Sequence, residues 1–112
     1  MDVTARLIEL RPGSDERVRE WAEFLSQHRD EARATLRNEG VSVESWFEVT
    51  LDGKSYLLSY QRATSAADAG AVAAQSASVV DAYHRQFKTD TWVRGGGAAG
   101  RLLLDVEARS PD

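Results

Sequence analysis

From Asp2 to Leu10 polar and apolar positions alternate with period two, Val3, Ala5 and Leu7 on one side and Thr4, Arg6, Ile8 and Leu10 on the other. That pattern predicts a first strand. Pro12-Gly13 ends it, Ser14 stands where a helix N-cap is wanted, and Asp15 and Glu16 put negative charge at the positive end of the helix that follows. Val18, Trp21, Leu25, Ala32 and Leu36 recur at helical spacing and predict one long helix to about Asn38, stopped by Gly40. Period two returns from Val41 to Leu51. Asp52-Gly53 then supplies two residues that tolerate positive φ, as a two-residue hairpin turn requires, and a third strand follows over about 55–62. This turn sets Val49 opposite Tyr56, Phe47 opposite Leu58 and Ser45 opposite Tyr60, a continuous apolar face expected to meet the helices.

Residues 65–77 are rich in Ala, contain Gly70 and predict a weak helix that buries little. From Val79 to about Trp92 a stronger helix is marked by Val80, Tyr83 and Phe87. Arg94 to Gly100 reads as a flexible glycine linker, Arg101 to Ala108 as a last strand through Leu102, Leu103, Leu104 and Val106, and 109–112 as a frayed tail. Residues 1–108 thus form one domain of order β-α-β-β-α-β, with the second helix broken in two. This is the α+β class: a ferredoxin-like, four-stranded antiparallel sheet with helices on one face. Trp46, Leu57 and Leu103 would lie on the other face among Glu44, Glu48, Ser59 and Gln61. So much apolar surface on a small chain points to a homodimer through the open sheet face.

Composition removes several function classes. With 18 acidic and 14 basic residues the net charge is -4, so there is no broad positive field to hold a nucleic acid. Cysteine is absent, which excludes disulfides and thiolate chemistry. No apolar run is long enough to cross a bilayer and the N-terminus lacks a secretory pattern, so a cytoplasmic location without membrane contact is expected. Two histidines without carboxylates at ligand spacing make no metal site, and Gly95-Gly96-Gly97 does not follow a strand and open a helix as a phosphate loop must. No cofactor is expected.

The remaining chemistry gathers on the helices. His28 and His84 are the side chains whose ordinary pKa lies near neutrality, the first candidates for acid and base work. Asp81, Tyr83 and His84 follow one another within a turn of helix, a density that suits a polar pocket wall, and Trp46 can shape its apolar side. Arg29 falls inside the apolar stripe of the first helix, where it either reaches past the core edge to water or holds an anionic ligand group. Half-exposed histidines capping a core edge and helix-end ion pairs account for the same residues without chemistry. The expectation is therefore a small-molecule-binding homodimer with isomerase chemistry at His28 and His84 and a wall of Arg29, Trp46, Asp81 and Tyr83. Whether it is an enzyme is left open, with a cofactor-free or haem-dependent monooxygenase and a non-catalytic dimeric binding module as alternatives.

Through RPGSDERVREWAEFLSQHRDEA, EGVSVESWF, YLLSY and DAYHRQFKTDTW the chain resembles a small bacterial and archaeal family of the dimeric α+β-barrel superfamily. The resemblance covers nearly the whole chain and implies the ferredoxin-like fold and a face-to-face dimer, with no particular activity. More distantly the layout is similar to the mutarotases that act on L-rhamnose, which carry a catalytic His on the first helix four residues after a Tyr. His28 matches that His, Phe24 stands at the Tyr position, and His84 and Arg85 stand near the positions of the mutarotase tryptophans. The superfamily also holds monooxygenases, whose motifs have no residue-by-residue match here.

Overall fold

The computed structural model describes residues 1–108; the tail expected to fray at 109–112 lies outside the described residues. Its elements run β1 (Asp2–Leu10), α1 (Asp15–Gln27), α2 (Arg29–Glu39), β2 (Val41–Leu51), β3 (Lys54–Ala63), α3 (Ala66–Gln75), α4 (Val79–Thr91) and β4 (Trp92–Ala99). All pairings are antiparallel and the strands lie in the order β2-β3-β1-β4, the ferredoxin-like arrangement. The hairpin forms as its turn residues dictate, with Asp52 at φ 51° and Gly53 at φ 76°, and the register sets Val49 on Tyr56, Phe47 on Leu58 and Ser45 on Tyr60.

The face assignment, however, is the reverse of the expectation. Ile8, Leu10 and Leu57 form the buried core with Val18 and Trp21 of α1 and Phe87 of α4, and Trp46 packs against that core. The helices therefore cover the face of Trp46, Leu57, Ser59 and Gln61. Phe47, at 53% exposure, lies on the bare side with Val49, Leu58 and Tyr60. Alternation fixes which residues share a face but not which face the helices choose, and both faces carry large apolar groups.

Three further differences have local causes. The long first helix breaks at His28 (φ -113°, ψ 34°), so α1 and α2 run separately. Ser14 makes no side-chain cap; its hydroxyl donates to the Arg11 carbonyl at 2.6 Å, whereas Ser65 and Ser78 do cap α3 and α4. The last strand is not 101–108 but the glycine run itself. Gly97 has φ 147°, and a Cβ there would stand 2.2 Å from the Leu7 carbonyl oxygen, so only glycine lets β4 lie this close to β1. Residues 101–108 continue beyond β4, outside the sheet, and Leu103 is 81% exposed. They are tethered by Arg62, whose guanidinium makes a forked pair with Asp105 (2.8 to 3.2 Å) and reaches Glu107 at 3.2 Å.

Candidate functional site

Between the sheet and helices α2, α3 and α4 lies an open groove of about 440 Å³. Its floor is the helix-covered face of the hairpin: Glu44 and Trp46 of β2 and Ser59 and Gln61 of β3, placed together by period-two alternation and the hairpin register. One wall is α4, where Asp81, His84 and Lys88 follow at i, i+3 and i+7 and so share a face. Opposite stands α2 with Arg29, Leu36 and Glu39. The roof is α3, whose Ala66, Ala69, Gly70 and Ala73 leave space that larger side chains would fill; a Cβ at Gly70 would meet nothing within 4 Å. What reads in sequence as a helix able to bury little is the reason a cavity exists.

Aromatic rings hold the inner end. Trp46 meets Trp21 edge to face at 5.1 Å between ring centres and lies 5.5 Å from His84 and 6.3 Å from Trp92. The Trp21 indole Nε1–H donates to His84 Nδ1 at 3.1 Å. Lys88 places its ammonium 4.9 Å from the Trp92 ring centre, a cation–π contact.

The electrostatics of the groove are unusual for ordinary surface groups. Burial, reinforced by the positive charge of Lys88, pushes the His84 imidazole down to about 4, against a smaller opposing pull from Asp81. It is therefore neutral at pH 7. Burial and then the like charges of Asp81 and Glu44 push the Glu39 carboxyl up to about 7. Glu44 keeps solvent access, yet protein crowds its carboxyl on the groove side, and this desolvation with the charge of Asp81 raises it too, partly offset by Lys88. Lys88 is itself lowered, first by burial and then by Arg6. No ion pair within 4.0 Å neutralises Glu39, Glu44 or Asp81 among the described residues. One groove thus holds a carboxyl that is part-protonated at neutral pH, further carboxyls and a neutral imidazole, the elements of reversible proton transfer.

Of the residues singled out in the sequence, Arg29, Trp46, Asp81 and His84 come together along this groove. His28 and Tyr83 do not line it. His28 occupies the joint between α1 and α2, where its Nδ1–H donates to the Phe24 carbonyl at 2.9 Å and its ring stacks on Phe24 at 4.1 Å. Phe24 in turn stacks on Tyr83 at 3.9 Å, so the two form part of an aromatic seam between α1 and α4. The two imidazoles therefore do not line one cavity: His28 borders a second depression with Gln27, Asp30 and Glu31, which adjoins the groove at Ser26 and Arg29. Sequence reasoning passed over Glu39, Glu44 and Lys88. The signal for Lys88 was its spacing from Asp81 and His84, and for Glu44 its place beside Trp46 on one strand face; Glu39 had none, because its position follows from the break at His28.

Comparison with known proteins agrees with the fold. A model described as "Family of unknown function (DUF6176)" matches residues 1–108, and the chain belongs to that family. A search of curated proteins gave no match. Among solved structures the chain is similar to the L-rhamnose mutarotase FA22100 from Formosa agariphila, with TM-score 0.60 and 17% identity over 96% of this chain and 100% of that one. It is also similar to a putative antibiotic biosynthesis monooxygenase from Nitrosomonas europaea, with TM-score 0.57 and 17% identity over 93% of this chain and 100% of the other. At such identity the likeness shows a shared fold. No helix of the described residues is long and apolar enough to cross a membrane.

Proposed function

We propose that this member of the DUF6176 family is a homodimeric small-molecule-binding protein whose groove performs a proton-transfer isomerisation, of the mutarotase kind, on a hydroxylated compound. The observation that carries this is the gathering of Glu39, Glu44, Asp81 and His84 along one groove with no ion pair on any of the three carboxyls among the described residues; burial there pushes the Glu39 carboxyl up to about 7. A group that titrates near the working pH gives and takes protons most effectively. Opening a cyclic hemiacetal needs one group of each kind. A carboxylate takes the proton of the anomeric hydroxyl while a carboxylic acid gives a proton to the ring oxygen; the bond from the anomeric carbon to the ring oxygen breaks and a carbonyl forms. Closure on the other face returns both protons, so the enzyme is unchanged. In this groove Glu39 supplies the acid and Glu44 the base, with His84 orienting the ligand and Trp46 and Trp92 offering rings to its C–H face. His28, at the helix joint, takes no part.

The homodimer rests on the bare sheet face. Val43, Phe47 and Leu51 are exposed there, and beyond β4 the extended segment holds Leu102, Leu103, Leu104 and Val106 in water. A second copy placed face to face would bury both sets, and it is the occupant whose own surface is equally in need of cover.

Anomer exchange of L-rhamnose, followed by saturation-transfer NMR, tests the reaction. Wild type is expected to accelerate exchange, Glu44→Gln to lose about 100-fold, and His28→Ala to match wild type. Exchange at the buffer rate with the sugar bound would leave a binding protein without catalysis.

A further inference from the structure

The inner end of the groove has a hydrogen-bonding polarity that sequence and fold do not announce. An indole N–H can only donate, so Trp21 Nε1 at 3.1 Å from His84 Nδ1 requires Nδ1 to be an unprotonated acceptor. A neutral imidazole carries one proton, which then resides on Nε2. Trp21 does not line the groove whereas His84 does, so Nδ1 is occupied on the core side while Nε2 has no protein partner among the described residues. The second ring at this end also presents an unpartnered donor, and there the donor is buried, whereas His84 Nε2 is open to the groove. Trp92 also lines the groove, its ring 6.3 Å from His84, and its buried Nε1–H finds no acceptor among the described residues. Buried N–H groups without acceptors are costly and uncommon, and at a site they mark where a ligand's acceptor belongs.

From this geometry we infer that the inner end of the groove is a subsite for the acceptor oxygens of a ligand, formed by His84 Nε2–H and Trp92 Nε1–H, with Trp21 as the positioning residue that fixes the His84 tautomer. This rests on the reading that the groove takes the ligand, and it narrows the ligand class. Hydroxyl, ether or carbonyl oxygens suit two neutral donors; an ammonium or another donor-only group does not. The neutrality of His84 at pH 7 agrees, with Lys88 and Asp81 of α4, Glu44 of β2 and Glu39 and Arg29 of α2 being the charged groups around the same groove.

The test needs neither catalysis nor the natural ligand. In the full-length protein at pH 7, nitrogen NMR of the His84 ring is expected to show Nδ1 unprotonated and Nε2 carrying hydrogen. Trp21→Phe, which keeps an aromatic ring but no donor, is expected to admit the other tautomer. Dimethyl sulfoxide, an acceptor-only probe, is expected to shift the Trp92 Nε1–H signal, while Trp21 Nε1–H, already bonded, stays put as an internal control. Methylammonium, a donor-only probe, is expected to leave both unchanged. Nδ1 found protonated in wild type would overturn the inference, as would a Trp92 signal indifferent to dimethyl sulfoxide or moved equally by methylammonium. Because these signals are read without a substrate, failure of L-rhamnose exchange would leave them standing, and their failure would leave exchange untouched.

Discussion

The two faces of one sheet, built by the same strands, carry opposite cargo. Under the helices, where a simple core would be apolar throughout, stand Glu44, Ser59 and Gln61 between Trp46 and Leu57. On the bare side, where water would favour polar groups, stand Phe47, Val49, Leu58 and Tyr60. Crowding a carboxyl with protein on one side and leaving an aromatic ring in the open both cost stability in a lone chain. The difference makes sense if the covered face is a site and the bare face an interface.

The sharpest contrast is between two phenylalanines. Phe87 is fully buried among Trp21 and the core of β1 and β3, so Phe87→Ala is expected to cost roughly 3–5 kcal/mol in chemical denaturation. Phe47→Ala should cost the single chain less than about 1 kcal/mol; equal losses would break the distinction between the faces. Phe47→Asp instead addresses the proposed dimer. Its expected effect is a weakening of self-association by 100-fold or more, about 3 kcal/mol, seen by light scattering as a fall to the mass of one chain while the groove signals persist.

Much of this fold was legible. Alternation from Asp2 to Leu10 and from Val41 to Leu51, the Asp52-Gly53 turn and the stripe ending in Phe87 located three strands and the last helix, and with them the topology. Besides the helix break at His28, two things were not. The choice of face is decided by which residues the helices can cover together, and neither Trp46 nor Phe47 reveals that alone. The strand at Gly95–Gly97 hides because glycine runs look like linkers, whereas here the missing side chains permit close approach to Leu7. The site was legible on α4 and at Trp46, but not at Glu39, whose place depends on a helix break at His28 that no proline or glycine signals.

Acidity gives two smaller predictions of opposite sign. The His84 imidazole takes a proton near 6.5 when unfolded and near 4 when folded. Between those values the unfolded chain binds more protons, so stability falls as pH drops through that window, by on the order of 3 kcal/mol at most. Urea denaturation at several pH values should show this slope, and His84→Gln should flatten it. Glu39 runs the other way. Its folded carboxyl keeps a proton to about 7 and its unfolded one releases it near 4.5, so it removes stability as pH rises across that interval. Glu39→Gln should therefore gain about 1 kcal/mol at pH 8, discounted for partial solvent screening, and nothing at pH 4. A variant no more stable at pH 8 would mean that the groove places no strain on the carboxyl.

The most direct measurement is a carbon NMR titration of the glutamate carboxyls in the unliganded protein, assigned through Glu39→Gln and Glu44→Gln. A proton-transfer groove predicts a Glu39 midpoint at about 7 and a Glu44 midpoint above the ordinary carboxylate range. Both groups titrating together near 4.5 would contradict it, since the groove would then hold only solvated carboxylates with no proton to give at neutral pH.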